Sequence, residues 1–140
     1  MSKIQTKNPT TGEVVKTFEE MSDQNIEDIL VLSEKAYQSW RFVDVEKRAE
    51  LMRKLASHLR ENKKKYGDLV TLEMGRPKAE SELEKCAQVC EYYAENASHF
   101  LQPKNIKTSA DESFVRFDPI GPVLAIMPWN FPFWQVIRFA

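Results

Sequence analysis

The chain has 140 residues and a formal net charge of −1, from 20 Lys+Arg against 21 Asp+Glu; 42% of it is hydrophobic and 29% charged. That balance is ordinary for a globular domain and excludes a disordered chain, a collagen-like repeat and a disulfide scaffold. The even charge excludes the basic excess of a nucleic-acid protein, and no apolar run reaches the roughly 20 residues that cross a bilayer. Residues 1–16 are polar and lack the apolar core of a signal peptide. Two cysteines without an export signal place the protein in the cytoplasm, with neither nucleic acid nor membrane as a partner.

Residues 4–7 and 14–18 are β-formers on either side of Asn8-Pro9-Thr10-Thr11-Gly12, which predicts a hairpin with a tight turn. Ser22 is the expected N-cap of a helix over about 23–40, with Ile26, Ile29, Leu30, Ser33, Tyr37 and Trp40 at helical spacing. Asp44 caps a second helix whose buried stripe is Ala49, Met52, Leu55, Ala56 and Leu59. Lys63, Lys64 and Lys65 read as a solvated face. A third helix carrying Tyr66, Leu69, Val70 and Leu72 stops at Gly75, and Pro77 starts the next. That fourth helix runs over about 77–101 with the stripe Ala79, Leu83, Cys86, Ala87, Cys90, Tyr93, Ala94 and Ala97, and Pro103 ends it.

A polar stretch then leads into Phe114-Val115-Arg116-Phe117, which alternates like a strand. Pro119-Ile120-Gly121-Pro122 is a bend. Val123-Leu124-Ala125-Ile126-Met127 is a short continuous apolar run, the pattern of a strand buried on both faces. Residues 128–131 turn, and Pro132 starts a last helix. The closing residues 133–140 are almost wholly apolar and carry no C-cap, so the chain is expected to be the first part of a longer one. Made alone, it is expected to expose Trp134, Ile137 and Phe139 and to self-associate.

Cys86 and Cys90 are four apart on one helix face and could offer two metal ligands, but no third ligand has a matching spacing. They fall on the apolar stripe and read as core, with no metal; His58 and His99 read as surface or helix-end residues. Gly12, Gly67, Gly75 and Gly121 form no phosphate-loop fingerprint. The informative segment is 120–140, a strand, a short turn and a helix start. In parallel α/β sheets ligands bind at this edge, where a helix start offers free N–H groups. A helix from Pro132 puts Phe133, Val136, Ile137 and Ala140 on one apolar face. Phe131, Gln135 and Arg138 then gather opposite, with Trp134 on the flank, like a pocket wall that holds an anionic end. Spacing alone leaves Asn130 open as a turn or capping residue and Arg138 as a surface or ion-pair residue.

The run Pro119-Ile120-Gly121-Pro122-Val123-Leu124-Ala125-Ile126-Met127-Pro128-Trp129-Asn130-Phe131-Pro132 resembles the signature of the aldehyde dehydrogenase superfamily. Asn8-Pro9-Thr10-Thr11-Gly12-Glu13 resembles the family's opening hairpin. Glu73-Met74-Gly75-Arg76-Pro77 resembles its helix break, with Arg in place of the usual Lys. Within the family the chain is most similar to bacterial and archaeal succinate-semialdehyde dehydrogenases. The resemblance implies an α/β fold, the N-terminal part of a Rossmann-type cofactor-binding domain with a hairpin, several outer helices and an oligomerisation-arm strand. It implies an outer helical layer over 1–100, the arm strand over 101–119, and the first strand and helix of the sheet over 120–140.

The resemblance also implies roles. Asn130 matches the asparagine whose amide helps form the oxyanion hole. Ile126, Met127, Pro128, Trp129 and Asn130 match the strand end that binds the cofactor, NAD or NADP. Phe131 matches an aromatic on the aldehyde tunnel and Arg138 the arginine that meets a substrate carboxylate; Gln135, which shares their helix face by spacing, is expected on the substrate side with them. The nucleophilic cysteine, the base glutamate and the ribose-reading group are expected beyond residue 140, and Cys86 and Cys90 match neither catalytic position. The expected activity is NAD(P)-dependent oxidation of succinate semialdehyde or a similar ω-carboxy aldehyde, in a full-length homodimer or homotetramer; the 140-residue chain alone is expected to be inactive. The alternatives are a dehydrogenase for another small aldehyde and a non-catalytic helical interaction domain.

Overall fold

The computed structural model describes residues 3–140. Strands β1 (Lys3–Lys7) and β2 (Val14–Glu19) form an antiparallel hairpin in which Ile4 lies opposite Phe18. The hairpin loop closes because Asn8 Oδ1 accepts from the Thr10 N–H at 2.9 Å, and Gly12 adopts a left-handed φ of 76°. Helix α1 (Asp23–Trp40) starts at Ser22, which forms a reciprocal capping box with Asn25. Helix α2 (Val45–Glu61) starts at Asp44, whose carboxylate accepts from the Glu46 N–H at 2.7 Å. Helix α3 (Lys63–Met74) ends at Gly75, whose φ of 66° reverses the chain without a Cβ penalty. The lysine run at its start is exposed, as read.

Helix α4 (Glu80–Phe100) is the centre of the molecule, with α2, α3 and the last helix, α5 (Pro132–Phe139), packed against it. The core joins Ala56 and Leu59 of α2, Leu83, Cys86, Ala87 and Cys90 of α4, and Ile137 of α5. Leu83, Cys86 and Cys90 have no exposed surface. Both cysteines are therefore core residues, as their place on the stripe indicates. Burial pushes the Cys86 thiol up to about 11 and raises Cys90 as well. Arg60 ties α2 to α4 through Glu84 at 3.0 Å and through both carboxylate oxygens of Glu91. Its hydrogen bonds hold the Glu91 carboxyl below the usual carboxylate range.

Five expectations are corrected. Helix α4 begins at Glu80 and not at 77, because Lys78 takes a left-handed φ of 56° and keeps Pro77 outside the helix. Tyr93 of its stripe is half exposed. The pairing at 114–117 is confined to β4 (Phe114–Val115), which meets β3 (Lys104–Asn105). Residues 120–127 form no strand: Ile126 is 89% exposed and Leu124 86%. A buried parallel strand needs a ladder partner on each side, and no described residue supplies one. Finally, Ile137 is buried at 9% exposure and Trp134 is partly buried against the core, so of the three residues expected at the surface only Phe139 is there.

Candidate functional site

The turn from Trp129 to Phe131 joins the extended run 120–128 to α5, and its geometry begins with a helix start that lacks a cap of its own. Phe131 occupies the N-cap position and has no side-chain oxygen to offer; Pro132 follows at N1. The missing acceptor comes from α4. Glu82 Oε1 accepts the Trp134 N–H at 2.8 Å, while Glu82 Oε2 takes a hydrogen bond from Arg76 Nη2. Glu82 is 6% exposed, so its charge is buried yet fully partnered by a guanidinium and a backbone donor. The other end of the same guanidinium, Nη1, donates to the Asn130 carbonyl at 3.1 Å, and its centre lies 4.5 Å over the Phe131 ring.

Asn130 itself is exposed, and among the described residues its side-chain amide has no hydrogen-bond partner. It opens onto a cavity of about 580 Å³ shared with Phe131, Gln135, Arg76, Glu82 and Lys85. Lys85 also covers the Trp134 ring, with its ammonium 3.9 Å from the centroid.

The expected grouping on α5 is corrected here. The helix turns Phe133, Trp134 and Ile137 toward the core and leaves Val136 outside, because the two aromatic rings bury far more area against α4 than Val136 and Ala140 would. Gln135 lies at 9% exposure with Oε1 unpartnered, inside the Asn130 cavity rather than on an open face. Arg138 is exposed and lines a different cavity, of about 460 Å³, with Arg48, Tyr93 and Phe139. Among the described residues it has no carboxylate partner, so its guanidinium is uncommitted. Asn130, Phe131 and Gln135 are thus brought together, and Arg138 stands apart from them.

Residues 126–129 test the fit to a dinucleotide. Ile126 and Trp129 are strongly exposed and Met127 half-buried, and no backbone group of 126–128 is engaged in a ladder. These residues leave exposed apolar surface and backbone groups outside any ladder just before the helix start, so the segment is open to a ligand. Among the described residues, no group of three or more His, Cys, Asp or Glu side chains could hold a metal ion.

Sequence reasoning missed Glu82. The signal was present: it lies three residues after Ala79 and four before Cys86, so a carboxylate falls on the buried stripe of α4 and must find a partner there. The hairpin docks on the end of α3, across a cavity from Trp129. Thr6 Oγ1 donates to Glu73 Oε1 at 3.2 Å, and a Cβ on Gly75 would stand 2.9 Å from Pro9 Cγ. A cavity of about 490 Å³ bounded by Thr6, Glu73, Trp129 and Phe133 lies between them.

Residues 1–139 match the profile of the aldehyde dehydrogenase family. A probable succinate-semialdehyde dehydrogenase [NADP(+)] of Synechocystis is 42% identical over 139 residues, covering 98% of this chain and 31% of its own. The succinate semialdehyde dehydrogenase [NAD(P)+] of Escherichia coli is 35% identical over 95% of this chain and 29% of its own. The crystal structure of a succinic semialdehyde dehydrogenase from Streptococcus pyogenes in complex with NADP+ superposes with a TM-score of 0.91 at 35% identity, over 96% of this chain and 30% of that one. The chain therefore spans about a third of the length of the relatives it matches. A hairpin docked on a helix break, an α4-centred helical layer and an exposed apolar run turning at Asn130 into a helix are one continuous piece of a known architecture, and the chain belongs to the aldehyde dehydrogenase family.

Proposed function

We propose that the whole protein carrying this chain is an NAD(P)-dependent aldehyde dehydrogenase, which oxidises succinate semialdehyde or another ω-carboxy aldehyde to the acid through a cysteine thiohemiacetal. The observation that carries the reading is the 42% identity, across nearly the whole chain, to a relative named for that aldehyde and for NADP. Residues 1–100 form the outer helical layer of the cofactor domain, 101–119 the arm that packs on a neighbouring subunit of a homodimer or homotetramer, and 120–140 the first strand and helix of the sheet. The remainder of the protein supplies the ladder partners of 120–127, the nucleophile and the base. The enzyme works in the cytoplasm.

Attack of a thiolate on an aldehyde concentrates negative charge on the former carbonyl oxygen. The amide of Asn130 is a neutral donor with no competing partner, on a turn whose backbone is anchored, and it stabilises that oxygen without reorganising during the reaction. Phe131 provides an apolar wall for the aldehyde and Gln135 a polar contact in the same cavity. Arg138, three residues beyond Gln135 on α5 and in the second cavity, takes the far carboxylate end of the ω-carboxy chain, since a guanidinium pairs with a carboxylate through two parallel hydrogen bonds. Ile126, Met127, Pro128 and Trp129, with Asn130, hold the nicotinamide end of the cofactor. When bound, that cofactor accepts the hydride.

The test is steady-state kinetics on the whole protein with NADP+ and two aldehydes of similar length, succinate semialdehyde and an uncharged one. Asn130→Ala should lower kcat by roughly 10²–10³ on both. Arg138→Ala should lower kcat/KM for succinate semialdehyde by about 30- to several-thousand-fold and spare the uncharged aldehyde. Parallel losses on both substrates would remove the carboxylate role of Arg138, and wild-type kcat in Asn130→Ala would return that residue to a turn role.

A further inference from the structure

We propose that Arg76 and Glu82 are positioning residues, a two-residue clamp with a buried carboxylate and a partly exposed guanidinium, that sets the orientation of the Asn130 amide. The proposal rests on the oxyanion role given to Asn130 above and adds the machinery that holds it. A preorganised donor needs a fixed direction, yet among the described residues no hydrogen bond holds the Asn130 side chain. Its direction must come from the backbone that carries it.

That backbone is pinned at three points, and every pin leads to the same ion pair. The Asn130 carbonyl accepts from Arg76 Nη1 at 3.1 Å, the Phe131 ring lies under the Arg76 guanidinium, and the Trp134 N–H donates to Glu82 Oε1 at 2.8 Å. Arg76 Nη2 joins the two halves through Glu82 Oε2. The Glu82 side chain is 3% exposed and that of Arg76 25%. Glu82 adjoins Leu83, which has no exposed surface, so the clamp is mounted on the buried core. The chemistry of each member matters. Arg76 serves two acceptors from two nitrogens while its planar face covers a ring, and Lys can reproduce only part of that. Glu82 must be ionised to hold Arg76 with one oxygen and the helix start with the other.

The test uses the whole protein with succinate semialdehyde and NADP+. Glu82→Gln, Arg76→Met and Arg76→Lys are measured alone and combined with Asn130→Ala, with thermal melts to select folded variants. Glu82→Gln keeps an oxygen for the Trp134 N–H and places no unpaired charge in the core, so it serves where Arg76→Met does not fold. In the Asn130-containing enzyme, Glu82→Gln and Arg76→Met should lower kcat/KM for the aldehyde by about 10- to 100-fold, the cost of a donor displaced by about an ångström. The KM for NADP+ should stay within about twofold, and Arg76→Lys should recover part of the loss. Combined with Asn130→Ala, the clamp variants should cost several-fold less than they do alone, because most of their effect passes through the amide and only the remainder through the Phe131 ring that Arg76 also covers. Equal losses with and without Asn130, or folded clamp variants with wild-type kcat/KM, overturn the clamp and leave the oxyanion assignment standing. Wild-type kcat/KM in Asn130→Ala alone overturns both.

Discussion

Helix α4 carries Glu80, Glu82, Glu84, Lys85 and Glu91 and still forms the centre of the core, while Leu124 and Ile126, in the run 123–127 that has no charge at all, are among the most exposed residues of the molecule. The difference lies in what each segment can satisfy by itself. A helix closes its own backbone hydrogen bonds, so a narrow apolar stripe is enough to bury it against neighbours, and its charges are accommodated by pairing, as Glu82 with Arg76 and Glu91 with Arg60. An extended run cannot close its own bonds and stays open until other strands flank it. Helix α1 makes the same point in weaker form. Its apolar residues are spaced for burial, but none is buried, and among the described residues its one long-range hydrogen bond is from the Tyr37 hydroxyl to the Pro119 carbonyl at 2.9 Å.

The contrast can be broken most directly by truncating one leucine from each side. Leu83→Ala should destabilise the chain by about 2–5 kcal/mol, and Leu124→Ala by no more than about 0.5 kcal/mol, in urea unfolding followed by circular dichroism. Equal costs would mean that 120–127 is packed in solution. The alkaline limb examines the same core through its thiols. Because burial raises Cys86 to about 11 and Cys90 as well, the thiol form is favoured in the folded chain. Stability from these groups is complete below the unfolded thiol value of about 8.5 and is lost as pH rises toward about 11. The urea midpoint should fall over that window and hold steadier in Cys86→Ala/Cys90→Ala. At neutral pH, iodoacetamide should leave both thiols unlabelled until the chain unfolds.

Gly75→Ala should cost about 1–3 kcal/mol, because the position needs a left-handed φ and because the new methyl meets Pro9. A melting temperature unchanged by this substitution would separate the hairpin from the helix break. The smallest effect belongs to α1. Ser22→Ala should cost about 1 kcal/mol, felt locally as faster amide exchange over α1 and not over α4. Even with Ser22 intact, α1 amides should exchange well ahead of those in α4, since no buried side chain holds that helix down.

Local chemistry was readable directly. Ser22 and Asp44 cap because a short oxygen-bearing side chain precedes an apolar period, and Gly75 ends α3 because only glycine enters the left-handed region without strain. The core stripe of α2 and most of that of α4 follow from helical spacing, and the Pro-Trp-Asn-Phe-Pro turn identified the family. Tertiary structure alone decided which face of α5 is buried, since the winning stripe was chosen by the rings that fit against α4 and not by the moment of the helix itself. It also decided that Gln135 enters the Asn130 cavity while Arg138 does not, and that a carboxylate from α4 caps a helix fifty residues away. Pairings of this kind join residues with no fixed spacing, so they leave no period in the sequence and exist only once the helices have packed.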